Sequence, residues 1–371
     1  MSKTHATTYG GHIEPRAGIR LIVITMISML FLHYPVLAIS WGGPATWQLV
    51  LMVLPLGLVI FWLYTKLANR FPGASLCQMA EAATGRLIGA LLMVLVLVWL
   101  MGHLTLNLRD FTETFKTTLL PITPISIISL LLILCAAAAA WTGLEGLARV
   151  SQLLFVPIYL MLALVVVLNL PHIDASQYFP FWGFGLKRTA LGALAFLPML
   201  SEITLLLILG QVFRSARVFR QVGRSALIIY ILTGLGMVLL LVGLFGSPDA
   251  QINPFALFSV ARLISIGRWV ERIEAVMIAF WVMAACVRIS LLLYAACLHL
   301  AQLLRIPNHR PLVLPLLLIA EALSVLPEDF AAVLRTDQFW MQTAGAVALA
   351  IPPLILIVAV MRKKGGHSRA S

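Results

Sequence analysis

Apolar runs long enough to cross a bilayer recur along this chain, and they constrain its fold more than any other feature. A transmembrane helix needs about 20 mostly apolar residues to cross a hydrocarbon core of about 30 Å. The runs lie at about residues 18–40, 45–66, 87–115, 121–142, 147–170, 188–209, 225–246, 270–300, 311–326 and 339–361. Since no polar domain separates them, the sequence predicts an all-α polytopic membrane protein with ten transmembrane helices.

The composition excludes a soluble fold. Hydrophobic residues make up 61% of the chain and charged residues 11%, against about 45–50% and about 25% in soluble domains. The formal net charge of +12 would suggest nucleic acid as a partner of a soluble protein. Here the basic residues lie at the ends of the apolar runs, where they meet lipid headgroups. We therefore expect the lipid bilayer, and not nucleic acid, as a partner.

The sequence shows no pattern typical of an enzyme, a metal site or a cofactor site. The four cysteines lie far apart without a CxxC pair, so they are interpreted as small apolar residues rather than as disulfide or metal ligands. The motifs HExxH, GxSxG and the Walker loop are absent. We expect neither enzymatic activity nor a metal or cofactor.

The distribution of basic residues predicts the orientation in the membrane. Of the 26 Lys and Arg, 17 lie on the side of the two tails, eight on the other side, and Arg288 within the eighth predicted helix. The positive-inside rule therefore places both termini in the cytoplasm. Residues 1–16 are predicted to be a cytoplasmic tail, residues 17–361 a single transmembrane domain, and residues 362–371 a basic cytoplasmic tail.

The sixth predicted helix carries a helix breaker next to an ionisable residue. Pro198 has no N–H and crowds the carbonyl of Leu194, so the helix should kink or open there. Glu202 follows four residues later, and a charge near the middle of a membrane costs roughly 2.5–3.5 kcal/mol. Such a residue points to function, and a structural acid satisfied by a neighbouring helix is the alternative.

The order of the helices predicts an internal symmetry. The first predicted helix is interrupted by His33-Tyr34-Pro35, as the sixth is by Pro198. The second and the seventh are each followed by the longest loop of their half, on opposite sides of the membrane. This pattern is typical of two inverted five-helix repeats, about 17–170 and 188–361, with a site at mid-membrane between broken helices 1 and 6. Because prolines are common in membrane helices, the pattern could also arise without a repeat.

Seven polar residues and one proline of four predicted helices form the candidate ligand-binding site. They are Glu202, Ser201, Pro198, Thr25, Ser28, His103, Asn107 and Arg288. The hydroxyls of Thr25 and Ser28 could instead bond to their own helix. His103, Asn107 and Asp110 share one helix face, which either lines the cavity or contacts helix 10. Arg288 contacts a ligand, forms a salt bridge to another helix, or extends toward the membrane surface.

Several short motifs resemble one known family in their order and spacing. They include residues 71–76 (FPGASL), 143–149 (GLEGLAR), Asn253-Pro254-Phe255, 271–274 (ERIE) and Glu202. Together they resemble the B subunit of the spore germinant receptors, a branch of the amino acid–polyamine–organocation transporter superfamily.

The resemblance implies a LeuT-like fold in the inner membrane of a spore. It also implies a complex with a larger membrane A subunit and a lipoprotein C subunit. Small germinants, commonly amino acids, would bind between helices 1 and 6. The family usually has glycines where helix 1 unwinds, whereas this chain has Ser28 and Leu30, and Ser201 replaces a common glycine in helix 6. Because glycine allows close approach to a ligand, we expect a smaller or reshaped pocket.

Two functions of different class follow. The first is a receptor subunit that binds a small nutrient, such as an amino acid, and signals with its partner subunits. The second is a proton-coupled amino acid permease that uses Glu202. A water or ion path opened by the ligand is compatible with the first.

Overall fold

The computed structural model describes residues 13–213, 215–264 and 273–365. Most of the two predicted tails, Arg214, and Glu271-Arg272 of the 271–274 motif lie outside the described residues. The α-helices are α1 Pro15–Ile27, α2 Tyr34–Gly42, α3 Thr46–Arg70, α4 Leu76–Thr84, α5 Arg86–Thr118, α6 Ile125–Thr142, α7 Leu144–Asn169, α8 Leu186–Phe196, α9 Thr204–Ile208, α10 Ala216–Ile252, α11 Ala256–Arg262, α12 Ile273–Leu304, α13 Val313–Ser324, α14 Phe330–Trp340 and α15 Ala346–Met361.

Eight helical stretches in the described part of the chain are long and apolar enough to span a membrane, so the chain is a multi-pass membrane protein. One of these stretches joins α2 to α3, and another joins α14 to α15. By contrast, α1 has 13 residues and α13 has 12, so they fall short as single α-helices. The predicted count of ten spans and the boundaries of the two repeats stay predictions.

The two predicted interruptions are present, and they lie inside the molecule. A 3₁₀ segment, Ser28–Phe31, follows α1 and separates it from α2. A second 3₁₀ segment, Leu197–Ile203, separates α8 from α9 and carries a proline at its start. Because Pro198 cannot donate a backbone hydrogen bond, the α-helical ladder stops at this point. The sixth span is therefore broken rather than a bent but continuous rod.

Burial separates central from peripheral spans. The stretch Leu186–Ile208 contains the second 3₁₀ segment, and 72% of its apolar 18-residue segment is buried. In Val276–Leu304 the corresponding share is 67%. In Ile125–Thr142 only 28% is buried. The interrupted sixth span and α12 are thus surrounded by protein, whereas α6 lies at the periphery.

The last span differs from the sequence prediction. Its helix begins at Phe330 rather than near residue 339, because Asp329 caps it by accepting a 2.6 Å hydrogen bond from the backbone N–H of Ala332. A π-helical turn, Met341–Gly345, follows. The missing side chain of Gly345 lets this turn pack against the second 3₁₀ segment, since a Cβ there would lie 3.1 Å from the carbonyl oxygen of Pro198.

Gly102→Ala is expected to destabilise the protein by about 1–3 kcal/mol through overpacking. A Cβ on Gly102 of α5 would lie 2.1 Å from the indole of Trp340, the last residue of α14, whose Nε1 donates to the carbonyl of Trp99 on α5 at 3.4 Å. Equilibrium unfolding of the purified protein in detergent micelles measures the effect. The matched control is Gly236→Ala in α10, where nothing lies within 4 Å of the new Cβ. Equal stability of the two variants would contradict the expected steric clash.

Candidate ligand-binding site

The candidate residues lie on five elements that meet at the two interruptions. Pro198, Ser201 and Glu202 belong to the second 3₁₀ segment, and Ser28 begins the first. His103 and Asn107 lie one turn apart on α5. Thr25 lies in the last turn of α1, and Arg288 lies in the middle of α12.

A buried ion pair forms the centre of the site. Arg288 Nη2 donates to Oε1 of Glu202, and both side chains are almost fully buried. His103 Nε2 lies 2.8 Å from the same carboxylate oxygen. Sequence reasoning left three roles open for Arg288, and of these the salt bridge is observed. An extension to the membrane surface is excluded because the side chain has no exposed area.

The other donors of Arg288 are also satisfied. Its Nε donates to Oδ1 of Asn107 at 2.7 Å, and its Nη1 donates to the backbone carbonyl of Thr25 at 2.5 Å. The guanidinium thus joins α1, α5 and the second 3₁₀ segment to α12. An Arg presents five donors in a fixed planar arrangement, so a site that satisfies several of them holds it in one position.

The hydrogen bonds of Asn107 favour one tautomer of His103. Asn107 Nδ2 donates to the backbone carbonyl of His103 at 2.7 Å and lies 3.2 Å from its Nδ1. With Nδ1 as the acceptor, Nε2 carries the proton beside Glu202, whereas Arg288 Nη2, which lies 2.8 Å from the same Nε2, favours the tautomer in which Nε2 accepts. The opposite charges of Arg288 and Glu202 offset each other within the buried site. Pairing of this kind lowers the cost of burying charge at membrane depth.

The hydroxyls of the first span are used locally. Thr25 Oγ1 donates to the carbonyl of Leu21 at 2.8 Å, and Ser28 Oγ donates to the carbonyl of Thr25 at 2.7 Å. Bonding back to their own chain was the alternative considered for these hydroxyls. In this structure the first span therefore contributes a backbone carbonyl to the network.

Two buried polar atoms of the second 3₁₀ segment have no hydrogen-bond partner among the described residues. They are Oγ of Ser201 and Oε2 of Glu202. Both side chains are almost fully buried, and most buried polar groups in proteins are satisfied. Adjacent unsatisfied groups at a break in the helix are able to bind a polar ligand group.

An apolar cavity of about 30 Å³ borders both interruptions. Leu30 of the first 3₁₀ segment, Leu200 of the second, and Tyr230 and Gly234 of α10 contribute to its lining. A water needs about 10–15 Å³ measured in this way, so the cavity has a volume equal to that of about two waters. The side chain of Leu30 fills space that a glycine at this position would leave open.

A second buried polar cluster was missed by sequence reasoning. His33 Nδ1 lies 3.3 Å from Oδ2 of Asp110, and His33 Nε2 lies 3.4 Å from Oδ2 of Asp337. The Tyr34 hydroxyl donates to the same oxygen of Asp337 at 2.7 Å. Asp110 was recognised as part of a polar face on α5. Asp337 lies two residues before the predicted start of the last span, near residue 339, and so outside it. This closeness to the span was the one sequence feature that pointed to Asp337.

Two known proteins are similar to this chain in sequence. Spore germination protein KB of Bacillus subtilis (strain 168) is 24% identical over 347 residues, covering 88% of this chain and 89% of that protein. Spore germination protein XB of Bacillus anthracis is 25% identical over 207 residues, covering 55% and 57%.

A solved structure shares the fold. It is the substrate-bound, outward-open state of a Na⁺-coupled sialic acid symporter, with a TM-score of 0.66, 13% sequence identity, and coverage of 99% of this chain and 94% of that one. This likeness confirms the predicted LeuT-like fold. The family profile described as "Spore germination protein" matches residues 12–332, and the chain therefore belongs to the spore germination protein family.

Proposed function

We propose that this protein is the ligand-binding subunit of a spore germinant receptor. It binds a small nutrient, in our proposal an amino acid, between the two interrupted spans at mid-membrane. Family membership and the transporter fold indicate a membrane receptor or transporter rather than an enzyme. The observation that carries the proposal is the pair of unsatisfied buried atoms, Ser201 Oγ and Glu202 Oε2, at the break in the sixth span.

The chemistry of the site suits a zwitterion. Glu202 offers a carboxylate for an ammonium group, and Arg288 offers a guanidinium for a carboxylate, which it binds in a bidentate geometry. The neighbouring cavity is apolar and would receive a small apolar side chain. Sugars and nucleosides lack the pair of opposite charges that would match both groups.

Ligand binding requires the site to open. Glu202 and Arg288 bind each other in a closed interior, and a cavity of about 30 Å³ is far smaller than the roughly 300 Å³ of an ordinary small-molecule site. A ligand can shift the protein toward an open state only by binding that state more tightly. In the proposed receptor, exchange of the internal ion pair for ligand contacts is the event transmitted to the larger membrane A subunit and the lipoprotein C subunit.

Ser201→Ala is expected to weaken binding of the germinant about 5- to 30-fold without destabilising the fold. The hydroxyl has no partner in the protein, so its removal leaves no other group unsatisfied, whereas a lost hydrogen bond to ligand costs about 1–2 kcal/mol. The germinant is first identified as the compound that raises the melting temperature of the purified protein in a panel of amino acids, sugars and nucleosides. The concentration dependence of that rise is then compared between variants.

The control is Ser290→Ala on α12, one turn of the helix from Cys286. The Ser290 hydroxyl is also buried, but it already donates to the carbonyl of Cys286 at 2.5 Å. We expect its ligand response to match that of the unmodified protein. An unchanged response in Ser201→Ala would remove Ser201 from the binding site, and a panel in which no compound raises the melting temperature would contradict the proposed binding function.

The alternative is a proton-coupled amino acid permease, which the transporter fold also supports. Reconstituted vesicles distinguish the two functions. A permease would accumulate the stabilising amino acid when a pH gradient is imposed, and Glu202→Gln would stop accumulation. A receptor subunit would bind the same amino acid without accumulating it.

A further inference from the structure

A basic groove lies between α3 and α10, at the ends of these helices that the charge distribution predicts to face the cytoplasm. It encloses about 400 Å³. Lys66, Asn69, Arg220 and Arg224 line its polar part, and Trp62 and Phe61 belong to its apolar part. None of the residues that line the groove belongs to the proposed germinant site.

The three cations of the groove have no anionic partner among the described residues. Lys66, Arg220 and Arg224 are exposed, and within the ranges that the structure describes none forms an ion pair or a side-chain hydrogen bond. No acidic residue lines the groove. Mutual repulsion of three like charges on one small surface is unfavourable unless an anion lies between them.

Other arginines near the same ends of the helices are used in the fold. Arg305 pairs with Glu81 at 2.7 Å, Arg70 donates to the carbonyl of Lys364 at 2.5 Å, and Arg362 donates to the carbonyl of Thr84. The three unpaired cations of the groove thus differ from neighbours that connect structural elements. Their side chains are therefore free of structural ion pairs in the described part of the chain and available to an anionic ligand.

The apolar wall decides which anion fits. The Trp62 ring is more than half exposed, and Lys66 Nζ lies 5.1 Å from its centroid. Leu58 extends the wall away from the charges, along the face of α3 on which Val59 is also exposed. A free phosphate would contact only the cations, whereas a phosphodiester that carries acyl chains would also cover Trp62 and Leu58.

We propose that this groove binds the headgroup of an anionic phospholipid, with the phosphodiester between Lys66, Arg220 and Arg224 and an acyl chain along Trp62 and Leu58. Basic pockets between transmembrane helices on the cytoplasmic side commonly take such headgroups. The lipid would join α3 to α10, which also pack directly against each other. An acidic peptide would not use the apolar wall, which lies on a membrane-facing surface.

The test measures the melting temperature of the full-length protein in detergent as phosphatidylglycerol, phosphatidylcholine or inorganic phosphate is added. Of the three additives, we expect only phosphatidylglycerol to raise the melting temperature. Each basic residue near a membrane contributes about 1 kcal/mol, so Arg220→Gln/Arg224→Gln should weaken the apparent affinity about 25-fold. The control, Lys363→Gln/Lys364→Gln, removes the same charge from exposed residues outside the groove and should leave the affinity unchanged.

Three results would overturn the proposal. Equal retention of the effect in both double variants would show that the groove is not the site. Equal loss in both would show attraction to net charge alone. A full effect of inorganic phosphate would show an anion site without a lipid.

A measurement on the unmodified protein keeps the proposal testable if the groove variant does not fold. Phosphatidylglycerol with brominated acyl chains should quench Trp62 fluorescence more than brominated phosphatidylcholine does. Subtracting the emission of Trp62→Phe isolates this residue from the other eight of the nine tryptophans. Equal quenching by the two lipids would contradict a headgroup-specific site.

Discussion

Arg288→Met is expected to lower the free energy of unfolding by about 3–5 kcal/mol. The substitution removes the guanidinium and leaves Glu202 as an uncompensated charge in a fully buried site, which is the costly way to break an internal ion pair. Asn107 Oδ1 and the carbonyl of Thr25 also lose their donor. Equilibrium unfolding in detergent micelles, monitored by circular dichroism, measures the loss.

The second variant in this series is Arg288→Met/Glu202→Leu. Replacing both members of a buried pair by apolar residues is often neutral or stabilising, so the double variant should regain most of the stability lost in Arg288→Met. The exposed pair Arg305–Glu81 is the matched control, since its side chains are 59% and 47% exposed. Arg305→Met should cost no more than about 1 kcal/mol.

These variants distinguish a purely structural role of the Arg288–Glu202 pair from a role in ligand binding. If the pair were only structural, the double variant would recover both stability and the response to germinant. If the pair binds the germinant, the double variant recovers stability while its ligand response stays absent. A loss in Arg288→Met no larger than that in Arg305→Met would contradict an uncompensated buried charge.

The breaks in the helices could be predicted from the sequence because their cause is local. Pro198 acts on the carbonyl four residues earlier, and His33-Tyr34-Pro35 interrupts an otherwise apolar run. The shared face of His103 and Asn107 was predictable for the same reason, since residues four apart on a helix are neighbours. Each of these predictions could be made from the sequence of a single helix.

The partners across the site could not be predicted, because packing brings them together. Arg288 and Glu202 are 86 residues apart, and Tyr34 and Asp337 are 303 apart. The start of the last span was missed for a related reason. Charged residues from Glu328 to Asp337 gave that segment the composition of a loop, whereas in the structure Asp329 caps the helix and Asp337 is buried inside the protein.

His33→Leu is expected to lower the free energy of unfolding by about 3–5 kcal/mol as well. The imidazole lies between the carboxylates of Asp110 and Asp337, and all three side chains are at least nine-tenths buried. Without it, two acidic groups on different spans face each other with no cation between them, and each keeps one hydroxyl partner, Thr114 for Asp110 and Tyr34 for Asp337. Buried like charges without a cation are strongly unfavourable.

The contrast with an exposed histidine gives this expectation its test. His172→Leu in the connector after α7 removes an exposed side chain and should change stability by no more than about 0.5 kcal/mol. In the His33→Leu background, Asp110→Asn should restore about 1–3 kcal/mol, because it removes one of the two charges that the imidazole separates. If Asp110→Asn were destabilising to the same extent with and without His33, the two residues would not be coupled. The spans that carry them would then be joined by apolar packing alone, and the cluster would have no role in holding the first interruption against α5 and α14.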